Sequence, residues 1–179
     1  MEEETPNPVL SFIKKLFLFI IGIFILYLMF SLLGGGALLS YIQSMIESET
    51  IDASLTIMLE NKTTIVFSQE AYIELFDLYL KNQEHEFMVC LRGMYEEAQT
   101  QKTYTITALT IPETYSQSVH QVISAGCDGE TLIALHTHPY EHCIFSSQDI
   151  ASFFAFHKRS PYGLFALMCT ENKFTFYGY

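Results

Sequence analysis

The chain has 179 residues, half of them hydrophobic, and carries nine Lys and Arg against twenty Asp and Glu, a formal net charge of −11. That length suits one domain plus an extension, and an acidic balance without a basic patch excludes nucleic acid as a partner. The four cysteines, Cys90, Cys127, Cys143 and Cys169, are widely spaced with no C-x-x-C pair, so they look like neither a zinc knuckle nor a disulfide scaffold, and spacing alone does not fix their redox state.

Residues 1–15 read as a tail, acidic at Glu2 to Glu4 and with two prolines, disordered over its first eight residues. Residues 16–40 read as a transmembrane helix. Within it LFLFIIGIFILYLMFSLL (residues 16–33) has no charge and only Ser31 as a small polar side chain. A run of about 18 apolar residues crosses the hydrocarbon core of a bilayer. A cleaved signal peptide would have a shorter apolar region and a small-x-small site, and neither is present, so the expectation is an uncleaved, single-pass anchor in the lipid bilayer. Lys14 and Lys15 precede the run and no Lys or Arg follows it until Lys62. The retention of positive charge on the cytoplasmic side therefore predicts an extracytoplasmic C-terminal domain. Residues 41–61 read as a connector, and residues 62–179 as the folded domain.

Along that domain, TTIVF (residues 63–67) is β-branched and aromatic and predicts a strand. Ser68 predicts a helix cap, with Tyr72, Leu75, Phe76 and Tyr79 at helical spacing behind it. EFMVCL (residues 86–91) predicts a short strand ended by Gly93, and TYTITALTI (residues 103–111) another, stopped by Pro112. Residues 116–125 are expected to be helical, and residues 131–135 to be a buried strand. Ser146 or Ser147 opens a further helix whose Ile150, Phe153, Phe154 and His157 are expected on one face. Two strands, residues 163–169 and 173–177, follow around a Glu171-Asn172 turn. Interleaved strands and helices with hairpin-like pairs predict an α/β (mixed α+β) domain with a mixed sheet.

The chemistry concentrates in ALHTHPYEHCIFSSQDI (residues 134–150), which holds three of the six histidines. His136 and His138 sit at i and i+2 on a strand end, so both imidazoles point to one side. Asp149 falls in the first turn of the next helix, from where a strand-loop-helix return brings its carboxylate back to the two rings. Two His and one Asp leave one tetrahedral position open, the arrangement of a catalytic rather than a structural zinc site. Alone, an H-x-H is a weak signal, and Ser146-x-x-Asp149 is a routine capping box. Their combination at this spacing, with Pro139 after the second histidine, is much more specific.

His136-Thr137-His138, seven residues, Ser146, two residues and Asp149 resemble the H-x-H-x7-S-x-x-D signature of the JAMM (JAB/MPN) metalloproteases. That family also has an upstream strand glutamate followed closely by glycine, a place filled here by Glu86 and Gly93, with Glu84 as the alternative two residues away. The resemblance covers about residues 63–179. It implies a JAB/MPN-like mixed sheet flanked by helices, one Zn2+ held by His136, His138 and Asp149, Glu86 as general base and Ser146 as donor to an oxyanion. It further implies hydrolysis of peptide or isopeptide bonds in a peptide or protein substrate, including ubiquitin-like conjugates. Two departures bear on the substrate. Residues 93–131 leave little room for the insertions that grip a modifier, and an outward-facing domain is out of reach of cytosolic conjugates. Both favour a general membrane-anchored metallopeptidase over a dedicated deubiquitinase. The other readings are a non-catalytic JAB/MPN scaffold or binding module, which the intact site residues oppose, and a RadC-like protein, which the anchor and acidic charge oppose. His142 reads as a loop residue, His157 as a packed one, His85 and His120 as unpartnered, and Cys143 as loop packing, with a reactive thiol as its alternative.

Overall fold

The computed structural model describes residues 8–32, 48–119, 121–138 and 143–179. The chain divides into two compact units, Met1–Ile42 and Gln43–Tyr179. The first contains helix α1 (Pro8–Leu32). Proline presets φ for a first helical turn and has no N–H to leave unsatisfied there, so the helix begins within the segment expected as a tail. Its 20-residue stretch Phe12–Ser31 is long and apolar enough to span a membrane, and every side chain in it is exposed. The expected remainder of that span, residues 33–40, lies outside the described residues.

The second unit contains β1 (Glu49–Thr50), β2 (Thr56–Met58), β3 (Thr63–Phe67), helix α2 (Gln69–Lys81), β4 (Met88–Ala98), β5 (Gln101–Thr110), β6 (Thr114–Gln117), β7 (Val122–Ser124), β8 (Ile133–Thr137), helix α3 (Ser147–His157), β9 (Leu164–Met168) and β10 (Lys173–Tyr177). Eight of the strands form one sheet in the order β1-β10-β9-β8-β4-β5-β3-β2, while β6 and β7 pair separately. The β3–β5 and β8–β9 pairs are parallel and the others antiparallel. The mixed α/β architecture expected from the interleaved pattern is therefore present, with three helices among the described residues, α1 included.

Four local expectations are corrected. Residues 49–50 and 56–58, expected in the connector, are sheet strands, with Ile57 fully buried against the core. No described residue of 116–125 is helical. β-branched Val122 and Ile123 favour extended backbone, and they pair with β6 across a turn in which Ser118 N–H donates to Gln121 O at 2.8 Å. Gly93 does not end β4 but sits at a register shift in the middle of it, where a Cβ would lie 1.8 Å from Thr105 O. The missing side chain admits the neighbouring backbone and the strand runs on to Ala98. On α3 the buried residues are Phe153 and Phe156, and Phe154 is exposed, because one residue is about 100° of helix rotation.

Strand alternation divides the sheet into two apolar faces. Ile133 and Leu135 of β8 join the larger core, which includes Ala71 and Leu75 of α2. Ala134 joins Cys90, Phe165 and the α3 residues Phe153 and Phe156 on the other face. All five residues of β8 are buried, as expected of a central strand covered on both sides. By the same alternation His136 faces α3 and Thr137 faces α2.

The cysteines also correct the sequence reading, since Cys90 is bonded to Cys127 and Cys143 to Cys169. Cys143 is therefore neither simple loop packing nor a free thiol. Their Cα separations of 5.6 and 5.2 Å are set by strand pairing and by the chain return after β8, neither of which is encoded in cysteine spacing.

Candidate metal centre

The β8–α3–β9 unit determines where the polar groups meet. Because β8 and β9 are parallel, the chain leaves the end of β8 and crosses back through α3. That places the first turn of α3 near the strand end carrying the histidines. His136 is the penultimate residue of β8 and His138 follows it. Ser146 caps α3: its hydroxyl accepts the Asp149 N–H at 3.2 Å, while Asp149 Oδ2 accepts the Ser146 N–H at 2.7 Å. This reciprocal cap fixes the Asp149 side chain over the strand end.

Three side chains converge there. His136 Nε2 lies 3.2 Å from His138 Nε2 and 3.2 Å from Asp149 Oδ1, and His138 Nε2 lies 3.5 Å from Asp149 Oδ2. With one ligand atom from each, all within 4.8 Å of one another, the group could hold a metal ion. Glu86 is buried beside them, with Oε1 3.8 Å from His138 Nε2, whereas Glu84 is exposed. The geometry thus separates the two glutamates that the sequence left as alternatives.

Protonation suits ligation. Burial pushes the His136 pKa down, opposed by its hydrogen bond to Asp149, so the imidazole is favoured in its neutral, lone-pair form. Burial alone would raise the Asp149 pKa, but hydrogen bonds from His136, His138 and Ser146 outweigh it and hold the group well below the usual carboxylate range. A neutral imidazole and an ionised carboxylate are the forms that bind a cation. His136 Nδ1 is buried with no hydrogen-bond partner among the described residues, so the ring meets the site through Nε2, whose proton toward Asp149 a bound cation would displace.

Several supporting contacts escaped the sequence reading. Thr137, between the two histidines, points to the opposite sheet face, where its Oγ1 accepts the Phe87 N–H at 3.1 Å; its own N–H donates to Phe87 O at 3.1 Å. Glu86 N–H donates to Ser118 O at 3.0 Å. These bonds hold the Glu86 backbone against the strand end. An aromatic wall backs His136, with ring centroids 5.3 Å away for Phe165 and 6.3 Å for Phe145. The Cys143 end of the intervening loop is pinned by its disulfide and by Thr175 Oγ1 donating to Cys143 O at 3.1 Å. An H-x-H with threonine between its histidines was the one local signal available for Thr137; the rest depend on tertiary pairing.

Of the remaining histidines, His85 is exposed and His157 packs on Phe153 at 5.2 Å. His120, Pro139 and His142 lie outside the described residues. No protein-family model matches the chain, and no curated protein does.

The convergence predicts one metal ion per chain, and elemental analysis of the purified full chain in detergent tests it. His138→Ala and Asp149→Asn should each lose the ion. Asn keeps the shape of the side chain, so the helix cap, worth about 1 kcal/mol, is largely retained. Stoichiometric metal in both variants would rule out this ligand set.

Proposed function

We propose that the domain is a zinc-dependent hydrolase of peptide or isopeptide bonds, resembling the JAMM (JAB/MPN) metalloproteases and anchored in a membrane by α1. The observation that carries this reading is the set of ligand-atom separations, 3.2, 3.2 and 3.5 Å, beside a buried glutamate. Tetrahedral zinc, with bonds of about 2.0–2.2 Å to nitrogen and oxygen, requires ligand atoms roughly 3.3–3.5 Å apart. Two imidazoles and one carboxylate are also the donor types that zinc takes in hydrolytic sites. The residues present therefore fit the ion.

His136, His138 and Asp149 would hold it, and a zinc ion so bound supplies Lewis acidity toward a water and a substrate carbonyl. Glu86 takes the proton of the attacking water and returns it to the departing amine. Its burial beside His138 and its backbone tie to Ser118 keep that carboxylate in one place during both transfers. Ser146 uses its hydroxyl oxygen to accept the Asp149 N–H, so its own O–H can donate to the oxyanion that forms as the carbonyl is attacked. Water adds across the C–N bond, giving one carboxyl and one amine.

The two disulfides and Lys14 with Lys15 support an extracytoplasmic domain. Disulfides persist in oxidising compartments and are rare in the cytosol, and positive residues next to a span stay on the cytoplasmic face. Asn61-Lys62-Thr63, with Asn61 exposed, is then open to glycosylation in a suitable host. On that side the substrates are extracytoplasmic peptides or proteins rather than cytosolic ubiquitin-like conjugates.

Glu86→Gln should retain zinc and lose about 100- to 10,000-fold in cleavage of an internally quenched peptide library, while Glu84→Gln cleaves like the parent. Wild-type cleavage by Glu86→Gln would remove it as the base. For topology, protease added to intact cells should degrade the domain. Protection until the membrane is permeabilised would reverse the orientation and restore cytosolic conjugates as substrates.

A further inference from the structure

A cavity of about 270 Å³ opens between α3 and the β6–β7 pair. From α3 it is lined by Gln148, Ser152, Ala155 and Phe156, which lie toward one helix face, and the wall continues to Arg159 in the turn just past the helix end. Gln148 adjoins the ligand Asp149, so the wall leads from the metal-binding group to Arg159. Met88 and Phe165 form part of the floor. Met88 is the register partner of His136, and the Phe165 ring lies 5.3 Å from the His136 ring, so the cavity and the centre share a sheet face. Ser152 and Ala155 are small and exposed, which leaves the groove open along its length.

Its far end carries the unusual charge. In a chain with nine basic residues against twenty acidic ones, a cation near acids is normally paired, as Arg92 is with Asp128 and Glu130. Among the described residues Arg159 has no acidic partner. Its guanidinium lies against Gly126, where a Cβ would come within 2.6 Å of Nη2, so the glycine makes room for the head group at the cavity wall. A guanidinium with its fork uncommitted matches the planar geometry of a carboxylate.

We propose that this groove binds an extended peptide segment of the substrate and that Arg159 anchors a carboxylate on it, supplied by the chain's free C-terminus or by an Asp or Glu side chain. The proposal rests on the hydrolase reading for its link to cleavage. From Asp149 to the helix end at His157 is roughly 12 Å along the axis, and Arg159 lies in the turn just beyond it. An extended chain covers that in about three to five residues, allowing for the reach of the arginine. The cavity admits a few side chains of such a segment and no folded partner. Arg159 is thus a specificity-determining residue, remote from the bond that breaks.

The test uses full-length, zinc-loaded protein in detergent and a set of internally quenched decapeptides of Ala, Ser and Leu. One series carries a single Glu at successive positions, each with a Gln counterpart. A second carries a free or an amidated C-terminus. The parent protein should cleave peptides whose carboxylate lies three to five residues from the broken bond with kcat/KM about tenfold above their amide counterparts, a preference that falls with added salt. The two series distinguish a C-terminal from a side-chain source. In Arg159→Gln the acid-to-amide ratio should collapse to about one. Arg159 is exposed, so the substitution leaves the core intact. A ratio that survives in Arg159→Gln overturns the proposal, as does a parent protein with no acid preference. Fluorescence-anisotropy binding of the same labelled peptides is measured in parallel and needs no hydrolysis. Absence of cleavage with an Arg159-dependent acid preference in binding sinks the hydrolase reading and keeps the anchor; equal binding of acid and amide peptides by the parent sinks the anchor alone.

Discussion

Asp149 serves two structures with one carboxylate. It completes the cap of α3 by accepting the Ser146 N–H, and it faces the Nε2 atoms of His136 and His138 at 3.2 and 3.5 Å. The first turn of the helix therefore cannot slide or rotate over the sheet without breaking both sets of contacts. Burial opposes an ionised carboxylate, yet these donors keep it ionised. A half-buried anion is stable only while its donors, or a cation in their place, are held close to it. That requirement, met by two imidazoles whose ligand atoms lie within 4.8 Å of the carboxylate, makes the group a candidate metal centre.

The sheet meets the requirement by its register. β8 lies between β4 and β9 and is covered on both faces, so its side chains are committed alternately to the two cores. His136 falls on the α3 side with Ala134, and Thr137 on the α2 side, where it ties Phe87 in both directions. Antiparallel pairing of Met88 with His136 brings the chain just before β4 alongside the histidines, and Glu86 with it. A slip of one residue in that pairing would send His136 to the opposite face. The proposed base and the two histidines are therefore positioned by one ladder of backbone hydrogen bonds, and Asp149 by the cap of α3.

Local signals were legible in the sequence because local physics produces them. Ser68 and Ser146 cap their helices as expected, and the strands at Thr63–Phe67 and Lys173–Tyr177 have the expected bounds. The H-x-H and the serine-aspartate cap point to the candidate metal-binding group because strand alternation and helix capping are short-range rules. What the sequence hid is non-local. Gly93 looks like a terminator in one dimension, but it marks the close approach of Thr105 in three. Cys90 and Cys127 are 37 residues apart, and only pairing and chain return bring them together. Val122 and Ile123 lean toward extended backbone, but two residues make too short a signal until β6 is present to pair with them. The edge strands β1 and β2 are two and three residues long, too short for any periodicity to show.

The central claim, that two imidazoles and one carboxylate hold a single zinc ion, is most directly tested by X-ray absorption at the zinc edge on the full chain purified in detergent. The structure has both disulfides formed and no free cysteine among the described residues. The account therefore predicts a first shell of nitrogen and oxygen only, at about 2.0–2.1 Å, with outer-shell scattering from two imidazoles. A sulfur ligand at about 2.3 Å, a single imidazole, or no bound zinc at all would contradict it.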